Sequence, residues 1–140
     1  MRQASVIAAD EATYSVSGKI NIFGIYVTDL SIPTDPTFAS QLVFIFFIET
    51  EPDDPFQKLE LHVELPGGDM RHVPLFIPNL RPGMADSIRW SLKYPLFFQN
   101  PILRPGAVIA TVIHEKGILS PAAPYIVLRE PPGIAPQTKQ

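Results

Sequence analysis

The sequence predicts an all-β protein, an antiparallel β-sandwich of seven or eight strands with little or no helix. Three observations lead there. Sixteen prolines and eight glycines in 140 residues cut the chain into short segments, because each proline removes a backbone donor and fixes φ. Apolar residues make up 46% of the chain, and a chain of this length buries roughly two thirds of its unfolded surface, enough for one core. Short β-type runs separated by proline and glycine clusters recur about every 10 to 15 residues, a sandwich or barrel spacing. Residues 1–128 read as a single domain, and 129–140 as a proline-rich tail, mobile or laid over the surface.

The first run lies within Ala4 to Ala9. The second, Ile20 to Thr28, changes its apolar parity partway: Ile20 and Ile22 are even, while Phe23, Ile25 and Val27 are odd. Gly24 sits at the break, where an isolated glycine predicts a β-bulge that re-aims the side chains beyond it. Pro33 and Pro36 end this segment, and the third run is Gln41 to Thr50. After the loop Glu51 to Pro55, Lys58 to Leu65 alternates with Leu59, Leu61, Val63 and Leu65 inward, so its other face meets water.

Pro66 to Asp69 then turns the chain into a fifth run whose inward set is Val73, Leu75 and Ile77. Both inward sets are odd-numbered, which fixes the parity of the hairpin. A loop of Gly67, Gly68 and Asp69 places Val63 opposite Val73 and Glu64 opposite His72. Past the loop around Asn79 to Gly83, Asp86 to Tyr94 alternates with Ile88, Trp90, Leu92 and Tyr94 on one face, and Pro95 closes it. Ala107 to His114 is strongly β-branched, and Glu115 to Gly117 turns it back towards Tyr125 to Leu128 as a second hairpin. Pro121 and Pro124 interrupt the returning arm, as suits an edge strand or a bulged entry.

Ala8 to Ala12, the stretch Gly18 to Tyr26, the apolar Leu42 to Ile48 and the closing Pro105 to Leu128 together resemble a family of small bacterial β-sandwich domains of unknown function. The resemblance runs to about Leu128 and is most specific in the first third. Ala107 and Val108 stand where an aromatic residue often follows the proline and glycine. The resemblance implies a sandwich fold and brings no catalytic residues to carry over.

Several chemistries are set aside. With no cysteine, disulfides, thiolate metal sites and a cysteine nucleophile are excluded. The net charge of −3 is dispersed without a basic cluster, so nucleic acid is not an expected partner. The longest apolar run, Leu42 to Ile48, falls well short of the roughly twenty residues of a membrane-spanning helix, and the first ten residues lack the long apolar core of a signal peptide. A cytoplasmic protein with no cofactor and no membrane partner is the expectation.

His62, Glu64 and His72 are candidates for a shared metal ion, since the expected register sets Glu64 against His72 with His62 a diagonal away. A solvated sheet face with a Glu and His pair explains them without a metal, because a third ligand in a recognisable spacing is missing. Glu49, Glu51, Asp53 and Asp54 form the one acidic cluster and could hold calcium, yet they lack the glycine-marked calcium loop and read as an ordinary charged loop. His114, Glu115 and Ser120 suggest a nucleophile and base without a glycine-framed elbow. Gly67 and Gly68 have no helix or lysine to make a phosphate loop. Trp90, Phe44 and Phe46 belong to the core; Phe76 falls on the outward parity. No enzyme is expected.

The third run carries the functional expectation. Leu42, Phe44, Phe46 and Ile48 point one way and Val43, Ile45 and Phe47 the other, whereas each sheet of a two-layer sandwich has one wet face. The second set must be covered, either by the segment after Tyr94, with Leu96, Phe97 and Phe98, or by another chain. The expected function is therefore a non-enzymatic binding or assembly module, a homodimer or a subunit with an unidentified protein, with Val43, Ile45 and Phe47 as the interface. A metal- or small-ligand-binding protein using the His and Glu face or the acidic loop is the alternative.

Overall fold

In the computed structural model, residues 1–15, 19–76 and 90–129 are described. The strands run in the order β1 (Gln3–Tyr14), β2 (Ile20–Ile25), β3 (Leu30–Ile32), β4 (Thr37–Phe38), β5 (Gln41–Thr50), β6 (Leu59–Glu64), β7 (Met70–Leu75), β8 (Trp90–Gln99), β9 (Ile102–Leu103), β10 (Ile109–His114), β11 (Gly117–Leu119) and β12 (Ile126–Leu128). Two four-stranded antiparallel sheets, β2-β1-β5-β8 and β11-β10-β6-β7, form the layers of a sandwich. Two short ribbons complete it, an antiparallel β4-β9 and a parallel β12-β3. No helix among the described residues is long and apolar enough to cross a membrane. The expected strand residues Asp86 to Arg89, the loop Asn79 to Gly83, the inward Ile77 and the tail from 130 onward lie outside the described residues.

Strand periodicity builds the core. Val6 and Ala8 of β1 and Leu42, Phe44, Phe46 and Ile48 of β5 face Leu59, Leu61 and Val63 of β6 and Ala110 and Val112 of β10 in one buried cluster. Leu30, Ile32 and Ile126 close its side from the parallel ribbon. Phe44 meets Phe98 edge to face at 5.8 Å between ring centroids, the geometry aromatic quadrupoles favour.

Three expectations about pairing are corrected. The β6–β7 hairpin pairs Leu61 with Val73, His62 with His72 and Glu64 with Met70, a register two residues away from Glu64 opposite His72. Leu65 N–H donates to the Asp69 carbonyl (2.8 Å), so the loop is Pro66, Gly67 and Gly68. Proline at the head of that loop has its fixed φ in a turn instead of a missing donor in the ladder. Gly68 takes φ 105°, and a Cβ at Gly67 would overlap the Ile102 carbonyl oxygen.

Pro95 does not end its strand. β8 continues to Gln99 along β5, with Pro95 opposite Ile45, because β8 is an edge strand and edges accommodate proline. The segment expected as a loop after Tyr94 is thus part of the sheet. The second hairpin also ends early: β10 pairs with β11 only through Leu119. Beyond Pro121 and Pro124, Ile126 to Leu128 runs parallel to β3, and among the described residues its backbone pairing towards β10 is the single bridge between Gly106 and Ile126.

The facing of β2 changes without a bulge. Ala9 pairs with Ile25 and Glu11 with Phe23, so the register is the same on both sides of Gly24 and no residue is inserted. Yet Ala9 and Ala12, three residues apart on β1, are buried in the same second cluster, which strict alternation forbids. Both strands therefore change facing at the Asp10 and Gly24 level, with Gly24 at φ 70°, a conformation that costs other residues about 1–2 kcal/mol. The outer half of the β1–β2 hairpin is bent by this shared switch.

Candidate functional site

The bend settles what covers the second face of β5. Val43 and Ile45 are 0% exposed and pack with Ala9 and Ala12, and Ile7, Ile20, Ile22, Phe47 and Phe97 close around them. The cover comes from the bent hairpin and from Phe97 on β8, not from a loop. Tyr14, near the tip of the hairpin, has its phenol pushed up by burial and then by Tyr94 of β8, although β5 separates the two strands in the sheet. Val43 and Ile45 consequently offer no free surface, and of the three residues expected at an interface only Phe47 keeps partial exposure.

Two sequence candidates, the acidic loop and the His114–Glu115 turn, meet in one charged knot at an end of the sandwich. Arg2 joins them. Its guanidinium donates to Asp54 from Nε (3.2 Å) and Nη2 (3.1 Å), to Glu115 (2.7 Å) and to the Pro55 carbonyl (2.9 Å). It also lies 4.4 Å from the centre of the Phe56 ring, which in turn packs on Trp90 and His114. Lys116 adds a second cation to Asp54 at 2.8 Å, and Glu51 pairs with the amino group of Met1.

Electrostatics follow from these contacts. The Arg2 hydrogen bond, helped by the Gln57 and Lys58 backbone N–H groups, holds the Glu115 carboxyl down at about 2. Lys116 first and Arg2 next hold Asp54 below the ordinary carboxylate range. His114 Nδ1 faces two donors, Arg2 Nη1 (2.9 Å) and the Lys116 N–H (3.2 Å), so it accepts and the ring is neutral. Burial, then Arg2, pushes its pKa down. Ser120 makes no hydrogen bond to His114; it lines a separate cleft beside Ile109 and Ala110. With Asp54 and Glu115 paired to protein cations, the knot fastens β1, the β5–β6 loop and the β10–β11 turn together.

Of the metal candidates, His62 and His72 pair directly while Glu64 is set opposite Met70, away from His72. His72 Nε2 bonds Glu60 at 2.8 Å, His62 lies 4.0 Å from Glu64, and the two imidazoles meet edge to face at 5.7 Å. Among the described residues, no three His, Asp or Glu side chains group so as to hold a metal ion. Phe44, Phe46 and Trp90 are buried in the core, and Phe76 is exposed.

What remains is the margin of the first sheet along β2. Phe23 and Ile25 are about half exposed, at 52% and 49%, and Val27 just beyond is 92% exposed. The outer strands β8, β7 and β11 of the two four-stranded sheets are guarded in ways that oppose strand addition. β8 carries Lys93 and Pro95, with Arg71 donating to the Phe97 carbonyl at 2.6 Å. β7 carries Arg71, His72 and Pro74, and β11 is three residues long. β2, Ile20–Ile25, contains no charge and no proline. Behind it, the Tyr26 hydroxyl donates to Asp10 at 2.5 Å, and burial followed by that bond pushes the phenol up to about 12. The parity change in the sequence did signal this segment; Arg2, Phe56 and Asp10 carried no such signal. Compared with protein-family models and with curated proteins, the chain matches none of them.

Proposed function

We propose that this protein is a non-enzymatic assembly module that associates with a second copy of itself through the β2 margin of its first sheet. The observation that carries the reading is the uncharged, proline-free β2 edge with Phe23, Ile25 and Val27 exposed along it, beside three guarded edges. The interface differs from the Val43, Ile45 and Phe47 face expected from the sequence, since that face is packed within the chain. The His62, Glu64 and His72 alternative has no comparable support, because Glu60 engages His72. A bacterial source, suggested by the family resemblance of the first third, and a place in the cytoplasm belong to the same proposal.

The expected affinity is low. Fully burying an apolar side chain of this size contributes about 1.5–3 kcal/mol, so Val27 and its two half-exposed neighbours, about two side-chain equivalents, supply about 3–6 kcal/mol per copy. Association itself costs roughly 4–15 kcal/mol. At the low end of that cost, about 5 kcal/mol, the upper half of the range supplied by two copies, about 9–12 kcal/mol, leaves a surplus of about 4–7 kcal/mol, a dissociation constant on the order of 10⁻⁵ to 10⁻³ M. Sedimentation velocity over that concentration range is expected to show a reversible monomer–dimer equilibrium, which Ile25→Asp abolishes. A wild-type chain that stays monomeric at millimolar concentration, or a dimer indifferent to Ile25→Asp, would remove the proposal.

A further inference from the structure

Where β2 leaves β1, it uncovers a strand edge inside the first sheet. The Tyr26 N–H still donates to the Ala8 carbonyl (2.9 Å), but the next backbone bond of the departing chain runs elsewhere, from Leu30 N–H to the Tyr125 carbonyl (2.8 Å). From Gln3 to Ile7, β1 pairs with β5 alone. Successive residues of an antiparallel strand present their N–H and C=O groups to opposite edges. The Ala8 carbonyl points to the β2 side, so Val6 and Ala4 point theirs the same way, and among the described residues neither has a backbone partner there.

A cleft of about 280 Å³ lies at the Val6 end of this open edge, walled by Val6 and Ala8 of β1, by Tyr26, Val27 and Asp29, and by Pro124. Pro121 and Pro124 bracket the extended Ser120 to Tyr125 segment on that side, and proline cannot donate to a ladder. Pro124 therefore has no donor to offer the open edge from that side. Asp29 is the one charged residue in the lining. One of its oxygens accepts the Tyr125 N–H (3.1 Å), and the other makes no hydrogen bond among the described residues.

We propose that this slot takes an extended segment of another protein, added as a strand to the free edge of β1, with apolar side chains against Val6 and Val27 and a lysine or arginine at Asp29. The five free residues span about 16 Å at 3.3 Å per residue, room for a strand of four to five residues, and strand addition supplies main-chain affinity while the pockets supply selectivity. Charge selects the occupant: a carboxylate with a spare oxygen, the one charge in the lining, favours a cationic residue and repels an acidic one. The inference concerns a different partner from the self-association reading; Val27 borders both surfaces, while Ala4, Val6 and Asp29 lie outside that interface.

The test uses the full chain, ¹⁵N-labelled, and a blocked peptide of sequence Thr-Val-Lys-Val-Thr, with Thr-Val-Glu-Val-Thr as its control. The lysine peptide is expected to shift the Ala4 and Val6 amides and slow their hydrogen exchange at least tenfold, and to bind at least fivefold more tightly than the glutamate peptide. Ala4→Pro, which removes a donor on the free side only, abolishes binding, and Asp29→Asn erases the preference for lysine; a dispersed spectrum verifies that each variant is folded. Ile25→Asp leaves peptide binding intact, which separates this slot from the self-association surface. Unchanged Ala4 and Val6 amides at millimolar peptide, equal binding of the two peptides, or loss of binding in Ile25→Asp would overturn the inference.

Discussion

Replacing Arg2 with methionine removes the guanidinium and keeps an unbranched stem over Phe56. The Arg2 side chain is only 6% exposed and reaches two carboxylates, a carbonyl, an imidazole nitrogen and an aromatic face. Removing one partner of a fully buried ion pair costs 3–5 kcal/mol. Here the carboxylates keep some solvent and Lys116 still neutralises Asp54, so the expected loss at pH 7 is about 2–4 kcal/mol. Acid adds a signature that packing alone cannot give. Glu115 titrates at about 2 in the fold against an ordinary 4.5. Its folded value is depressed, so its contribution is complete above the ordinary value and is lost as pH falls from 4.5 through about 2. In Arg2→Met the Glu115 carboxyl moves back towards its ordinary range, and the variant loses less stability across that window than the wild type. Urea unfolding at pH 7, 4.5, 3 and 2 measures both arms. A loss below about 0.5 kcal/mol at pH 7, or parallel stability curves for the two chains down to pH 2, would refute the role given to the knot.

Other consequences are equally open to measurement. Gly24→Ala meets both the φ 70° backbone and the Asp10 side chain, and should cost about 1–3 kcal/mol in chemical denaturation; in the Asp10→Ala background the carboxylate overlap disappears, a close contact with the Cβ of residue 10 at 3.0 Å stays, and the cost falls. Ile22→Asp puts a charge against Ala12 in the second cluster and should cost about 2–3 kcal/mol, with faster amide exchange at Val43 and Ile45 as the bent hairpin lifts. The neutral His114, its pKa depressed by burial and by Arg2, contributes stability that is present above the ordinary 6.5 and is lost as pH falls through its folded value; His114→Phe should flatten the stability profile just below pH 6.5.

The sandwich was readable because period-2 alternation is local. Leu59, Leu61, Val63 and Leu65 are all buried as their spacing implied, and the third run coincides with β5. Register was half readable: odd-numbered inward sets fixed its parity, but only the turn chemistry of Pro66 separates the observed pairing from one two residues away, and that shift is what parts Glu64 from His72. Pairings between distant segments left little trace. Ile126 to Leu128 reads as the return of a hairpin and instead joins Leu30 to Ile32 in parallel. The Arg2 knot links residues 52 and 113 positions apart, with no spacing to announce it. The parity change around Gly24 was visible, but whether it meant an inserted residue or a shared bend depended on Asp10 of the partner strand. That bend covers Val43 and Ile45 and moves the exposed apolar surface to Phe23, Ile25 and Val27.

A dilution series of amide spectra decides most directly between the β2 margin and the covered face of β5 as the site of self-association. From about 1 mM to 20 µM, a range chosen to bracket the expected affinity, concentration-dependent shifts should be confined to Phe23 through Thr28 and their β1 neighbours, with Val43, Ile45 and Phe47 unmoved. Shifts centred on Val43 to Phe47, or spectra that do not change with concentration, would contradict the account.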